Sequence, residues 1–187
     1  MSALQSYRYQ ATASYGGTMY GETAEGSFEL EGAVSGTDRY ELEWLDRRSG
    51  NRFNVMEIDG QAWMLEGDTW QSVPSSVVEG LAGPVSMYVP ADSWDALEDD
   101  FLGEPVYEGD QTINGIRTRH YSSEQSLVEG GETLQAHGEV WIAEDGGYPV
   151  RFMIEANIVD GEGGHSSMEM TVELSDVNGS VMIEPPM

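Results

Sequence analysis

The chain of 187 residues contains no cysteine and no lysine. Without cysteine there is no structural disulfide, no thiol nucleophile and no thiolate metal site, although the absence assigns no compartment. Without lysine there is no phosphate loop of the form G-x-x-x-x-G-K-[ST], and the nucleophile pattern G-x-S-x-G is missing as well. No run of 18 or more apolar residues occurs, so no transmembrane segment is expected. The opening Met1-Ser2-Ala3-Leu4 has neither a basic nor a long apolar region, so the chain is expected either to be cytosolic or to begin at a mature domain whose signal segment has been removed.

Positive charge is scarce. The only basic side chains besides histidine are Arg, and 8 of them face 34 acidic residues for a net charge of −26. A field of that sign repels phosphate backbones and anionic lipid surfaces, which disfavours nucleic acid as a partner and simple electrostatic docking on membranes. The acids fall mostly in turns and at alternate strand positions, as a solvated face requires in a salt-rich setting or an acidic proteome. With so many carboxylates some pair always sits at glycosidase separation, so their number carries no catalytic information. No enzyme activity is expected.

Histidine is sparse too. His120, His137 and His165 lie on separate expected elements with no H-x-x-x-H or H-E-x-x-H spacing, so no zinc site and no cofactor is expected. His165 with Met168 and Met170 admits a soft copper reading. Against it, both methionines belong to the apolar face of a strand. The acids of Asp160–Gly164 and of Glu98-Asp99-Asp100 could hold calcium, but neither stretch has EF-hand spacing.

What the sequence does hold is alternation. Around Gly138–Asp160, two strand-like runs, Glu139–Ala143 and Pro149–Val159, flank a polar connector. In the second, Val150, Phe152, Ile154, Ala156 and Ile158 fall at period two against Arg151, Glu155 and Asn157, with Met153 the exception. Ser166–Ser175 repeats the pattern through Met168, Met170, Val172 and Leu174. The same reading gives strands over Ser6–Tyr15, Ser27–Val34, Arg39–Leu45, Arg52–Ile58, Ala62–Leu65 and Thr69–Val73. Gly16-Gly17 is read as the beginning of a connector, and Asp59-Gly60 as a tight hairpin turn. Further strands are expected over Pro105–Gln111, Gly115–Ser122 and Leu134–Ala143, with Asn114-Gly115 at a turn, and a last short one over Val181–Ile183 before Pro185-Pro186. Strands at this spacing suit a sandwich, a barrel or an open half-barrel.

Pro74–Gly103 breaks the pattern. Within it Asp92–Leu102 reads as a helix, capped by Asp92 or Ser93 and carrying Trp94, Leu97 and Phe101 on one face. With no linker and no internal repeat, the chain reads as one domain over 1–187 with a helical insert at about 75–103.

Three phrases in register carry a resemblance: Ser6-Tyr7-Arg8, the Ile58–Pro74 run IDGQAWMLEGDTWQSVP, and the Gly138–Phe152 run GEVWIAEDGGYPVRF. Together they resemble the LolA/LolB-like lipoprotein-localisation superfamily, especially lipid-carrier lipoproteins of the LppX/LprG type. The resemblance implies a mainly β fold, an open antiparallel half-barrel with the short helical insert over its concave face. It implies an extracytoplasmic, non-enzymatic carrier for a lipid or for lipoprotein acyl chains, periplasmic or at the cell surface and lipid-anchored in its precursor. The anchoring Cys and the longer N-terminal helix of the family are missing from this sequence. The family shares its fold with envelope-stress regulators, so a signalling module with a protein partner at the envelope and no lipid cargo is the alternative.

A carrier needs apolar surface beyond what its own side chains close. The candidates are Tyr9, Phe28 and Leu30 from the first two strands, Tyr40, Leu42 and Trp44 from the third, and Trp63 beyond the Asp59-Gly60 turn. Trp94, Leu97 and Phe101 come from the insert, and Phe152, Ile154, Met170 and Val172 from the last strands. At about 0.8 kcal/mol per methylene, burying a 16-carbon tail outweighs the cost of ordering it. The same stripes would equally build a dry core. Ten methionines suit a pocket that repacks around its ligand, and also suit ordinary gap filling.

Overall fold

A computed structural model describes residues 4–19, 21–78 and 104–186. The first half of the chain forms β1 (Ser6–Met19), β2 (Glu22–Ser35), β3 (Arg39–Asp46), β4 (Arg52–Ile58), β5 (Gln61–Glu66) and β6 (Thr69–Val73). The second half forms β7 (Val106–Ile113), β8 (Ile116–Glu129), β9 (Glu132–Ala143), β10 (Pro149–Val159) and β11 (His165–Ser175). All belong to one antiparallel sheet of order β6-β5-β4-β3-β2-β1-β11-β10-β9-β8-β7. The first and last strands pair in the middle, Tyr9 opposite Leu174 and Ala13 opposite Met170, while among the described residues the sequence neighbours β6 and β7 are its two edges.

Turn chemistry sets the hairpins. Asp59-Gly60 and Asn114-Gly115 take left-handed φ at both residues, 54° and 78° in the first and 50° and 78° in the second, the twist that matches two antiparallel strands. Two strands run further than the sequence suggests. Gly16 and Gly17 continue β1 instead of ending it: Gly17 sits at φ 151°, and a Cβ there would lie 2.2 Å from the carbonyl oxygen of His165 on β11. β8 runs through the polar Ser122–Gln125 stretch to Glu129 and turns at Gly130-Gly131, because β9 offers a full ladder partner.

Alternation sorts the side chains to two faces. On the inner face Tyr9 lies opposite Gly32, and Tyr15 opposite Gly26, on the neighbouring strand. A Cβ on Gly32 would fall 2.3 Å from the Tyr9 hydroxyl and one on Gly26 would fall 2.6 Å from that of Tyr15, so each ring fills the place of the missing side chain. Cross-strand glycine–aromatic pairs of this kind let a sheet curve without leaving a gap. The main core lies on this face and draws on β1 to β5, β10 and β11, with Tyr7, Leu30, Val55, Phe152 and Leu174 almost fully buried. Val78, from the helical residues 75–78 that follow β6, is wholly buried in the same cluster.

Two smaller clusters occupy the outer face. In one, Ala33, Met56 and Ile58 pack with Val181 and Ile183 and against Trp63 and Trp70. The expected strand over Val181–Ile183 is therefore corrected: these residues pair with no strand, and the Val181 amide bonds to the Gly179 carbonyl. Asp176 and Asn178 turn the chain out of β11 at φ 51° and 54°, and Asn178 ties back to Ser6 and Gln5. Alternate residues are buried because the segment lies on side chains, not beside a backbone. The other cluster joins Ile113, Trp141, Ala143 and Val150, with Met153 against it. A bulge between Pro149 and Arg151 turns Val150 into this cluster, away from the face of Phe152. It also gives Met153, the exception to the alternation, its apolar partners.

Candidate functional site

The inner face gathers most of the expected ligand-binding residues. Leu30 lies between Ala11 and Trp44, Leu42 between Gly32 and Val55, and Trp44 stacks on Phe53 with ring centroids 5.0 Å apart. Phe152 pairs with Val172, and Ile154 with Met170. Tyr9, Phe28 and Tyr40 complete this group, all in or against one cluster. Trp63 does not join it. The β4–β5 register sets it opposite Met56, on the outer face against the C-terminal segment. Trp94, Leu97 and Phe101, with the expected helix Asp92–Leu102 and the Glu98-Asp99-Asp100 acids, lie outside the described residues.

The middle of the inner face is closed upon itself, since Tyr9, Leu30, Phe152 and Ile154 have almost no exposure. Burial pushes the Tyr9 hydroxyl well above its ordinary range, with Tyr7, Tyr40 and Glu41 adding to the effect. It donates to the carbonyl of Glu41 at 3.3 Å. Space opens further along the same stripes, towards the β1–β2 hairpin. There Tyr15, Ala24, Leu134, Ala156, Ile158 and Met168, together with Gly16, Gly17, Glu22, Ser166 and Ser167, line an open pocket of about 400 Å³. The volume falls within the roughly 300–1,000 Å³ usual for small-molecule sites, and the lining is mostly apolar as such sites are. Tyr15 is 49% exposed and Leu127, which pairs with Leu134, is 47% exposed.

Sequence reasoning placed Tyr15, Ala156, Ile158 and Met168 on apolar faces yet did not join them into a site. The signal was the continuation of these stripes past the buried core. It was hidden by reading Gly16-Gly17 as a connector, which removes the wall that β1 and β2 provide.

The outer face of β7 to β10 carries a polar network. The Trp141 indole N–H donates to Gln111 Oε1 at 2.9 Å, and Gln111 Nε2 lies 3.3 Å from His120 Nδ1. His120 Nε2 lies 2.7 Å from Glu139, whose other oxygen is 3.2 Å from His137 Nε2. His120 also stacks on Trp141, centroids 4.3 Å apart and planes 3° from parallel. Among the described residues no group of three or more His, Asp or Glu is placed to hold a metal ion. His165 faces outward while Met168 and Met170 face inward, which removes the copper reading. The Asp160 carboxylate accepts the amides of Glu162 and Gly164 at 2.9 and 2.7 Å, so it shapes its own loop.

This open antiparallel half-barrel with an apolar inner face is a LolA-like fold. The structure of LprF from Mycobacterium bovis matches this chain with a TM-score of 0.52 at 17% identity, over 98% of this chain and 90% of that one. A LolA superfamily protein from Nitrosomonas europaea aligns over 90% of this chain and 86% of its own at 10% identity, with a TM-score of 0.30. A lipoprotein-sorting domain from Vibrio parahaemolyticus aligns over 95% of this chain and 87% of its own at 14% identity, with a TM-score of 0.29. No family model and no curated protein matches the sequence. What is shared with LprF is the fold.

Proposed function

We propose that this protein is a non-enzymatic carrier or receptor that holds the acyl chain of a lipid or lipidated ligand, working outside the cytoplasm. The observation that carries the reading is the open apolar pocket of about 400 Å³ continuous with a closed apolar core. Leu134, Ile158 and Met168 line open space, and each methylene buried against them is worth about 0.8 kcal/mol. An acyl chain laid along the pocket gains that energy, and the half-exposed Tyr15 and Leu127 extend its track. Membership of a lipid-anchored, single-domain carrier group, with an insert serving as lid, is part of the same proposal. The alternative, a protein partner pairing with a sheet edge, meets two blunted edges: β6 has 5 residues and β7 is interrupted by a bulge between Tyr107 and Gly109.

The test is native mass spectrometry of the intact protein, followed by titration with a fluorescent fatty-acyl probe. The expected result is a mass excess lost on denaturation, or saturable probe binding that Ile158→Glu weakens roughly tenfold or more by setting a charge in an apolar pocket. Absence of saturable uptake by the wild type removes the carrier reading.

A further inference from the structure

The outer-face network has a donor–acceptor order that can be traced from its indole end. An indole N–H only donates. The group it meets at 2.9 Å is therefore the oxygen of Gln111, which fixes the other end of that amide as NH₂. This NH₂ faces His120 Nδ1 at 3.3 Å, so Nδ1 must present a lone pair. The ring proton then sits on Nε2 and donates to Glu139 at 2.7 Å. Each step forces the next: Trp141 to Gln111 to His120 to Glu139, spanning β7, β8 and β9.

We propose that this chain is a proton-operated latch on the edge strand β7. With His120 neutral the latch is closed. A second proton on His120 places Nδ1–H against the NH₂ of Gln111, two donors face to face, and that hydrogen bond is lost. Gln111 has no escape by flipping, because its NH₂ would then meet the indole N–H. The groups around the ring can accommodate the proton itself. Glu139 faces it from β9, Glu124 follows it on β8 and lies 3.7 Å from His137, and Glu155 of β10 pairs with His137. On β7, Glu108 is held by the hydroxyl of Ser122, and Arg151 of β10 flanks Trp141 at 5.4 Å from the ring. His120 is only 9% exposed, so its protonation state is felt by its neighbours more than by solvent. The part released is Val106–Gln111, already exposed and bulged.

Amide hydrogen exchange on the intact protein at pH 7.5 and 5.0, at constant ionic strength and corrected for the chemical exchange rate, tests this. Protection over Tyr107–Gln111 should fall several-fold more than over β10 and β11, the effect of one lost part-buried hydrogen bond. Gln111→Glu should reverse the dependence, because its carboxylate accepts from Trp141 and from a doubly protonated His120 alike. Independently of any variant, nitrogen NMR of the wild type should show His120 Nδ1 unprotonated at pH 7.5, with the Trp141 indole signal moving as His120 titrates. Equal protection of β7 at both pH values, a Gln111→Glu variant that follows the wild type, or a proton on Nδ1 at pH 7.5 overturns the proposal.

Discussion

Tyr9 shows how one side chain can serve packing, curvature and pH response together. Its ring covers Gly32 and its hydroxyl reaches the Glu41 carbonyl on β3, two strands away. Because burial raises its ionisation point in the folded state, Tyr9 stays neutral there when the unfolded chain would already ionise. Its contribution to stability is therefore fully present below the ordinary tyrosine value of about 10 and is lost as pH rises beyond it. Urea midpoints should be level around neutrality and fall above about pH 10. Tyr9→Phe should cost about 0.5–1.5 kcal/mol at pH 7 for the lost hydrogen bond and flatten part of the alkaline decline. An unchanged decline would assign it to other groups.

At the scale of elements, the C-terminal segment behaves as a strap. Val181 and Ile183 press on Met56, Ile58 and Trp63 across the outer face, although no ladder holds them. Ile183→Ala should lower stability by about 2–5 kcal/mol, as for a buried isoleucine in any core. Acyl-probe affinity should be untouched, because the strap and the pocket lie on opposite faces. A loss of affinity matching the loss of stability would show that the two faces are coupled. Trp63 of β5 packs against this strap, which explains why a large aromatic beside a hairpin turn is no guide to the binding face. Residues at odd and even positions of β5 differ only in which side they leave the sheet, and the period-two rule places Trp63 only when the register is known.

At the scale of the whole molecule the dominant force besides burial is self-repulsion. Glu31 lies opposite Glu43, and Glu155 opposite Glu169, like charges that destabilise the ladder. Arginines answer some of them: Arg52 sits 3.2 Å from Glu43, Arg8 sits 3.6 Å from Glu41, and Arg151 pairs with Glu173. Eight arginines cannot offset a net charge of −26. Salt should therefore stabilise the fold, since the screening length shrinks from about 10 Å at 0.1 M to about 3 Å at 1 M. Each 1 kcal/mol relieved raises the melting temperature of a chain this size by about 2–4 °C. Melts in 0.05 and 1 M sodium chloride measure this, and a midpoint that stays flat or drops would mean the arginine pairs already balance the surface.

Local features follow from the amino acids alone. Alternation in Phe152, Ile154, Met170 and Val172 fixed which residues share a face, since side chains leave a strand on opposite sides by turns. Asp59-Gly60 and Asn114-Gly115 fixed two hairpins, because few other pairs tolerate left-handed φ at both residues. The tertiary structure decided what depends on distant partners. Only pairing with β2 and β11 makes Gly16-Gly17 a strand, only β9 carries β8 through its polar stretch, and only the bulge at Pro149 sends Val150 to the outer face. The pocket beside Tyr15 exists because β1, β2, β9, β10 and β11 meet there, bringing residues 15 and 168 together. Alternation says which face of a strand is apolar. It cannot say where along that face the protein's own side chains stop filling the space.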